Sequence, residues 1–548
     1  QKVLGQEYQW SWLAGAAGGW HNGGRAILGG RRIRGPDVVI YGGTSAGVMA
    51  AVPVARMGLR ALIVEPGYHL GGMCVEGLGS SDIDNHPEFQ NSPAVGGLAL
   101  EYYRRISERY HRREAFEEML AARRKVPELW RFEPHVAEEV FNSLVREHGV
   151  MVILGKRLDQ EHGARLDANG RISALRCEDG TQVPGTVFID ATYEGDLLAA
   201  AGVSTTMGRE PNRLYGETLN GIRGENTYRQ FEVRVDPYCT PGDPQSGVIP
   251  TIQDEPLGTP GEGDHRVQAY CFRLCLTRDP ANMIPFSRPP GYDPWQYEIY
   301  RRYAEAGGHL WIPAANIPHG KTDLGSWHAL SANLYGMNHA YPGGSYEVRE
   351  RVLREHLLFT QGLCWFLAND PRVPREIREE WSQWGLAKDE FVDNHGWPRR
   401  FYVREARRMV SDYVITEHHT SGRASVPDPV AVAYWPPDMH ATRRIVRDGA
   451  AYNEGFVFGG RDWGPFGISY RALVPRSEEC GNLITPTTLS ASHVGYGAVR
   501  LEWTFMALAQ AAATAAVIAI EDAVSLQEVS YPKLRARLLA DGQVVELG

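Results

Sequence analysis

Six consecutive residues, Gly42-Gly43-Thr44-Ser45-Ala46-Gly47, have nearly the spacing of a phosphate-holding turn, with threonine where the G-x-G-x-x-G pattern has its middle glycine. Such a turn brings unpaired backbone N–H groups and the positive end of a helix dipole against a pyrophosphate. Gly42 supplies the tight turn and Gly47 the close packing of helix on strand. The Thr44 hydroxyl is placed to donate to a phosphate oxygen. Glu65 stands eighteen residues beyond Gly47 and is followed by Pro66; a carboxylate there accepts from the hydroxyls of an adenosine ribose. The bland alternative is an α/β turn whose helix is capped by a hydroxyl. The acid at this distance favours a dinucleotide.

Other segments suit a flavin. "YHLGGMCVEGLG" carries Gly71 and Gly72, which would let backbone approach a cofactor, then Met73 and Cys74, with His69 just before. Both His69 and Cys74 are side-chain types that can carry a flavin covalently, although a non-covalent flavin is the simpler expectation. "VFIDATYEGD" ends a buried strand at Asp190, continues through Ala191 and Thr192, and turns at Glu194, Gly195 and Asp196. "HVGYGAVR" places Gly495, Tyr496, Gly497, Ala498 and Val499 at the start of a long Ala-rich helix, whose N-terminus would stabilise negative charge on a reduced flavin.

Proton transfer needs a base near the reacting carbon. His493, at the mouth of that helix, is the first candidate, and His440 in "PPDMHATRR" the second. "YVREARRMVSDYVITEHH" predicts one helix with Arg404 and either Arg407 or Arg408 on a shared face, suited to a substrate or flavin role. The adjacent His418 and His419 point differently in regular structure, and the seven cysteines form no CxxC pair, so no metal site is expected.

These residues need a scaffold. "PDVVIYG", "SAGVMAAVPVARMG" and "RALIVEP" form a strand, helix and strand, the minimal βαβ setting for the Gly-rich turn. A charged helical region runs from Gly96 to about Arg124, and "EPHVAEEVFNSLVREHG" is a further helix. "VMVILGKRL" is a strand, and a β-ribbon returns to the strand ending at Asp190. From about residue 207 to 400 the texture changes to loops rich in Pro, Gly, Trp and Tyr, with helices at Tyr346–Asn369 and Pro374–Trp384. Long irregular segments of this kind are commonly walls of a substrate site.

The segments "GGTSAG", "HLGGMCVEGLG", "EPHVAEEVF", "FIDATYEGDLLAAAGV", "QAYCFRLCLT", "GLCWFLANDPRVP", "WGLAKDEF", "GWPRRFYVREARRMV" and "LSASHVGYGAVR" occur in order from Pro36 onward. In them the chain resembles the FAD-dependent oxidoreductases of the glutathione-reductase-like type, some of which are labelled xanthan-lyase-like. The resemblance implies an α/β, Rossmann-like FAD-binding domain, built from residues 36–206 and 401–548, with FAD extended across it. It also implies an inserted α+β substrate or cap region at 207–400. Residues 1–35 lie outside it as an N-terminal extension. Two departures stand out: "AQAAATAA" replaces the usual "GQAAG", and Trp503 stands where proline is common.

The implied activity is hydride transfer from a small organic substrate to FAD. The aromatic loops suit a hydroxylated, sugar-like substrate. Two rival classes are a polysaccharide-acting lyase, which has no use for FAD, and a flavin-carrying electron-transfer subunit, which often has iron–sulfur cysteine clusters. The chain has 548 residues and a formal net charge of −9, which argues against a nucleic-acid partner. Its longest apolar run, Phe505 to Ile520, reads as a buried helix and no membrane span. The chain opens on Gln1 with no apolar leader, which fits a cytoplasmic protein or an exported one that has lost its signal.

Overall fold

The computed structural model describes residues 25–28, 31–226, 228–326, 328–460 and 462–547; most of the N-terminal extension therefore lies outside the described residues. Five parallel strands form the central sheet: β1 (Val38–Tyr41), β2 (Ala61–Glu65), β3 (Met151–Leu154), β4 (Val187–Asp190) and β5 (Leu483–Ile484). Their order is β5-β4-β1-β2-β3. β1, β2 and β4 are buried along their whole length, which is why they read as unbroken apolar runs instead of alternating. The expected β-ribbon is a three-stranded antiparallel unit, Ala164–Leu166, Ile172–Arg176 and Gln182–Pro184. The fold is thus mixed α/β around a parallel sheet.

Helix α1 (Ser45–Arg56) follows β1 directly. Helices α2 (Gly97–Arg109) and α3 (Pro134–Glu147) have one apolar face each, and that face is buried. Helix α4 (Tyr346–Asn369) has the bounds expected from sequence. The long C-terminal helix is in fact two: α5 (His493–Val499) and α6 (Glu502–Asp522). The chain breaks at Arg500 and Leu501 because Arg500 is drawn sideways, its guanidinium 3.0 Å from Asp438 Oδ2 and 2.9 Å from Tyr402 OH. By length and composition α6 could cross a membrane, yet 94% of its apolar window is buried inside the protein. Its alanines let α1 lie along it at close range.

Sequence and structure part at residues 402–409. The expected arginine helix is absent: Tyr402 bridges Cys271 in antiparallel fashion, and Arg408–Met409 pair with Thr205–Thr206. In extended chain neighbouring side chains leave in opposite directions. Arg404, Arg407 and Arg408 accordingly reach three different sets of partners instead of sharing one face.

Candidate active site

The turn after β1 is built as the glycine spacing requires. Gly42 has φ +100°, and a Cβ there would meet Ala191 and Thr192 at 2.9 Å. A Cβ on Gly47 would lie 1.9 Å from Gly42 O, so α1 starts hard against the turn. Glu65, buried at the end of β2, accepts from Gly43 N (2.5 Å) and Gly67 N (2.6 Å), holding the turn open beside it. Burial raises the Glu65 pKa, and the Arg400 guanidinium opposes that rise. Gly42, Thr44, Glu65, Pro66, Thr192, Glu194, Asp196 and Arg400 line one groove. Its donors, acid and cation fit the adenosine and pyrophosphate of FAD: the first turn of α1 and Arg400 for the phosphates, Glu65 for the ribose. Arg400 escaped the sequence reading, although it sits in the quoted "GWPRRFY".

Thr44 departs from expectation. Its hydroxyl donates to Ala191 O at 2.6 Å and accepts from Gly47 N at 3.2 Å, capping α1. The single hydroxyl proton is committed inside the protein and cannot also go to a phosphate.

Several other expected cofactor residues are taken up by packing. Gly71 and Gly72 face Phe141 and the Tyr193 hydroxyl, where a Cβ would come within 2.5 Å and 2.3 Å. The Asp190 carboxylate accepts from the Thr192 hydroxyl and the backbone N–H of Thr192, Leu197 and Leu198, so it is a cap for the short helix Asp196–Ala200. Gly495 abuts Ile415 O and Gly497 the Met439 sulfur, while Tyr496, Ala498 and Val499 are buried around them. Asp196 lines the groove, but as the partner of Arg349 (2.6 Å) and Arg407 (2.9 Å). Arg407 therefore serves the groove wall and stands apart from Arg404. Both His69 nitrogens contact carboxylates, Glu138 at 2.6 Å and Asp393 at 2.9 Å.

The helix end that meets the cradle belongs to α6. Glu502, in its first turn, accepts from the Ser45 hydroxyl and from Tyr193 OH (2.7 Å), and the Cys74 thiol lies 3.9 Å away. Tyr193 OH in turn accepts from Met73 N at 3.0 Å. One carboxyl group thus ties α1, the Gly71–Cys74 turn, the β4 exit and α6 together. Burial pushes its pKa up to about 7. Burial also raises the Cys74 thiol, with Glu502 adding to the effect, so Cys74 stays protonated.

Two histidines lie deeper. His493 Nδ1 is 2.8 Å from Glu405 Oε2, and Glu405 also bonds Arg408 and, at 3.1 Å, Gln268. Burial and the Arg408 and Arg209 guanidiniums push its pKa down to about 3. Gln268 Oε1 accepts from the backbone N–H of the second histidine, His440, at 3.0 Å. His440 Nδ1 faces Ser326 Oγ at 3.3 Å and Asn333 Nδ2 at 3.5 Å. Burial, with Arg404, Arg229, Arg500 and Arg273 around it, holds its pKa well below the ordinary histidine value. Both imidazoles are uncharged near neutral pH. Arg404 adjoins His440, donating to Asn333 Oδ1 (3.1 Å) and Ser326 Oγ (2.9 Å).

Among the described residues, Glu133, His135 and Glu390 have metal-ligand spacing. The Lys321 ammonium lies 2.7 Å from Glu133 and 2.8 Å from Glu390, neutralising that cluster from within.

A family model described as FAD dependent oxidoreductase matches residues 37–538. No curated protein matches the chain. Solved structures that share part of the fold include L-proline dehydrogenase from P. horikoshii, at 16% identity and TM-score 0.25, covering 32% of this chain and 58% of that one. The L-amino acid deaminase from Proteus vulgaris matches at 18% identity and TM-score 0.23, covering 35% and 55%. The chain thus spans little more than half the length of either.

Proposed function

The chain belongs to the FAD-dependent oxidoreductase family, and from that premise we propose that it oxidises a small polar organic molecule held between Arg404 and His440. When bound, FAD supplies the two-electron acceptor for a hydride. Glu65, Arg400 and the first turn of α1, Ser45 included, would hold its nucleotide half, with Cys74, Tyr193 and Glu502 packed beside that turn.

The observation that carries the reading is His440, an imidazole enclosed beside Arg404, Ser326 and Asn333 and kept uncharged by burial first and by the four arginines around it second. Contacts lie along the path from the cradle to it: Ser45 to Glu502, Arg500 (two residues before Glu502) to Tyr402, the Tyr402 ring to Arg404, and Arg404 to the Ser326 that faces His440. A neutral imidazole accepts the hydroxyl or amine proton released as the substrate C–H bond breaks. His493 suits that role less, because Glu405 and its partners already enclose it. The substrate in this reading remains a hydroxylated, sugar-like molecule, beside the Phe456 ring whose centroid is 5.2 Å from that of His440.

The same reading takes residues 36–206 and 401–548 as two parts of a glutathione-reductase-like FAD domain, and 207–400 as an inserted α+β cap. It is supported by the sheet, whose strands come only from the two outer segments. Anaerobic mixing with a panel of alcohols, sugars, sugar acids and amino acids is the test. One class should bleach the flavin's visible absorbance, and His440→Asn should slow that bleaching by roughly 10²-fold or more with flavin still bound. An unchanged rate in His440→Asn, with a slow His493→Ala, would move the base role to His493. Protein purified with its cofactor retained but without flavin absorbance would sink the reading; that outcome would leave the lyase alternative.

A further inference from the structure

Of the eight buried arginines among the described residues, six have a carboxylate in ion-pair distance: Arg209, Arg273, Arg349, Arg408, Arg443 and Arg500. Arg404 and Arg444 do not. Arg444 lies over the Tyr335 and Phe231 rings, and π faces compensate its charge in part. Arg404 has Tyr402 as its ring neighbour, with the guanidinium carbon 5.1 Å from the centroid. Its hydrogen-bond partners are all neutral. Nη1 donates to Ala269 O and Asn333 Oδ1, Nη2 to Ser326 Oγ and the Cys271 thiol at 3.1 Å, and Nε is buried with no acceptor.

A guanidinium taken out of water without a counter-charge is costly. Here the cost is compounded, because Arg500 and Arg273 bear on the same spot; their own acids are Asp438 and Asp323, of which Asp438 keeps one oxygen without a hydrogen-bond partner, 3.9 Å from His440 Nε2 and not in ion-pair distance of Arg404. The carboxylate-gripping fork of an arginine uses Nε together with one Nη. On Arg404 that edge holds the unmet donor and a weak thiol acceptor.

We infer that the missing counter-charge is the substrate's own: the molecule oxidised beside His440 carries a carboxylate, as a hydroxy acid, sugar acid or amino acid does, and Arg404 holds that carboxylate. This rests on the reading of the Arg404–His440 cluster as the substrate site. Ser326 and Asn333, which touch both Arg404 and His440, set the distance between the bound carboxylate and the carbon that gives up its hydride while its hydroxyl or amine gives the proton to His440.

The test uses the flavin-loaded protein and two isosteric probes that cannot be oxidised, acetate and acetamide. Titration is followed by perturbation of the flavin spectrum and by calorimetry. Acetate should bind saturably and acetamide at least tenfold more weakly. Arg404→Gln should lose acetate binding by roughly 10²-fold with flavin retained, and Arg404→Lys should recover part of it. Substrates that bleach the flavin should all carry a carboxylate, and Arg404→Gln should raise their KM more than it lowers kcat. Equal binding of acetate and acetamide to the wild type overturns the inference without any variant, as does bleaching by neutral alcohols with equal efficiency. Those outcomes leave the oxidoreductase reading standing, whereas absence of flavin removes that reading and is seen before either probe is added.

Discussion

Thr44 and Glu502 show how a residue's chemistry depends on what already holds it. Thr44 sits where a phosphate contact is expected, but its proton is spent on Ala191 O. Thr44→Val should therefore cost about 1 kcal/mol of stability through loss of the α1 cap. It should leave FAD affinity within a few-fold, measured by flavin release during gel filtration or by titration. Glu502 has the opposite character: an ordinary helix-start acid in sequence, and in the structure a carboxyl buried at a four-way junction. With its pKa raised from 4.5 to about 7, the folded state keeps the proton while the unfolded chain ionises. The unfolded state then binds fewer protons between those values, so stability falls as pH rises from about 4.5 to 7 and levels off above. Denaturant midpoints should show the wild type losing about 3 kcal/mol more than Glu502→Gln over that window. Parallel slopes in the two proteins would show that Glu502 keeps an ordinary pKa.

At the scale of elements, the α5–α6 break and the non-helical course of residues 402–409 set where Arg500 and Arg404 stand. An unbroken helix would carry Arg500 away from Asp438 and Tyr402. Helix α6 is held mainly by fit: its alanines are buried nearly throughout. Ala512→Leu should overpack this interface and destabilise by about 1–3 kcal/mol. The measurement is the thermal midpoint; an unchanged value would mean that α6 has slack the structure does not show.

At the scale of the whole molecule, Arg349 of α4 reaches across from the 207–400 region to Asp196, with two bonds of 2.6 and 2.7 Å, and Arg407 completes the triad. This buried pair pins α4 beside the nucleotide groove. Arg349→Met leaves Asp196 with one cation of the two and should cost up to about 3–5 kcal/mol. FAD release should quicken in the same variant, because Asp196 and Arg349 both line the groove.

The βαβ unit, the Glu65 position, the bounds of α4 and the burial of the C-terminal helix were legible in the chain itself. Each is written locally, in apolar runs, glycine spacing and helix periodicity. Local pattern misled at Arg404 to Arg408, where tertiary pairing with Cys271 and Thr205–Thr206 overrides helical propensity. It was silent on Arg400 and Glu502, whose roles come from partners in distant segments. It did not show that Gly71, Gly72, Gly495 and Gly497 leave room for Phe141, Tyr193, Ile415 and Met439. The sequence by itself determined the cofactor class and the scaffold, because both depend on short-range order. Only the tertiary structure decided which buried arginines lack an acid and that one of them adjoins His440, because charge balance in a buried site is settled by residues far apart in the chain.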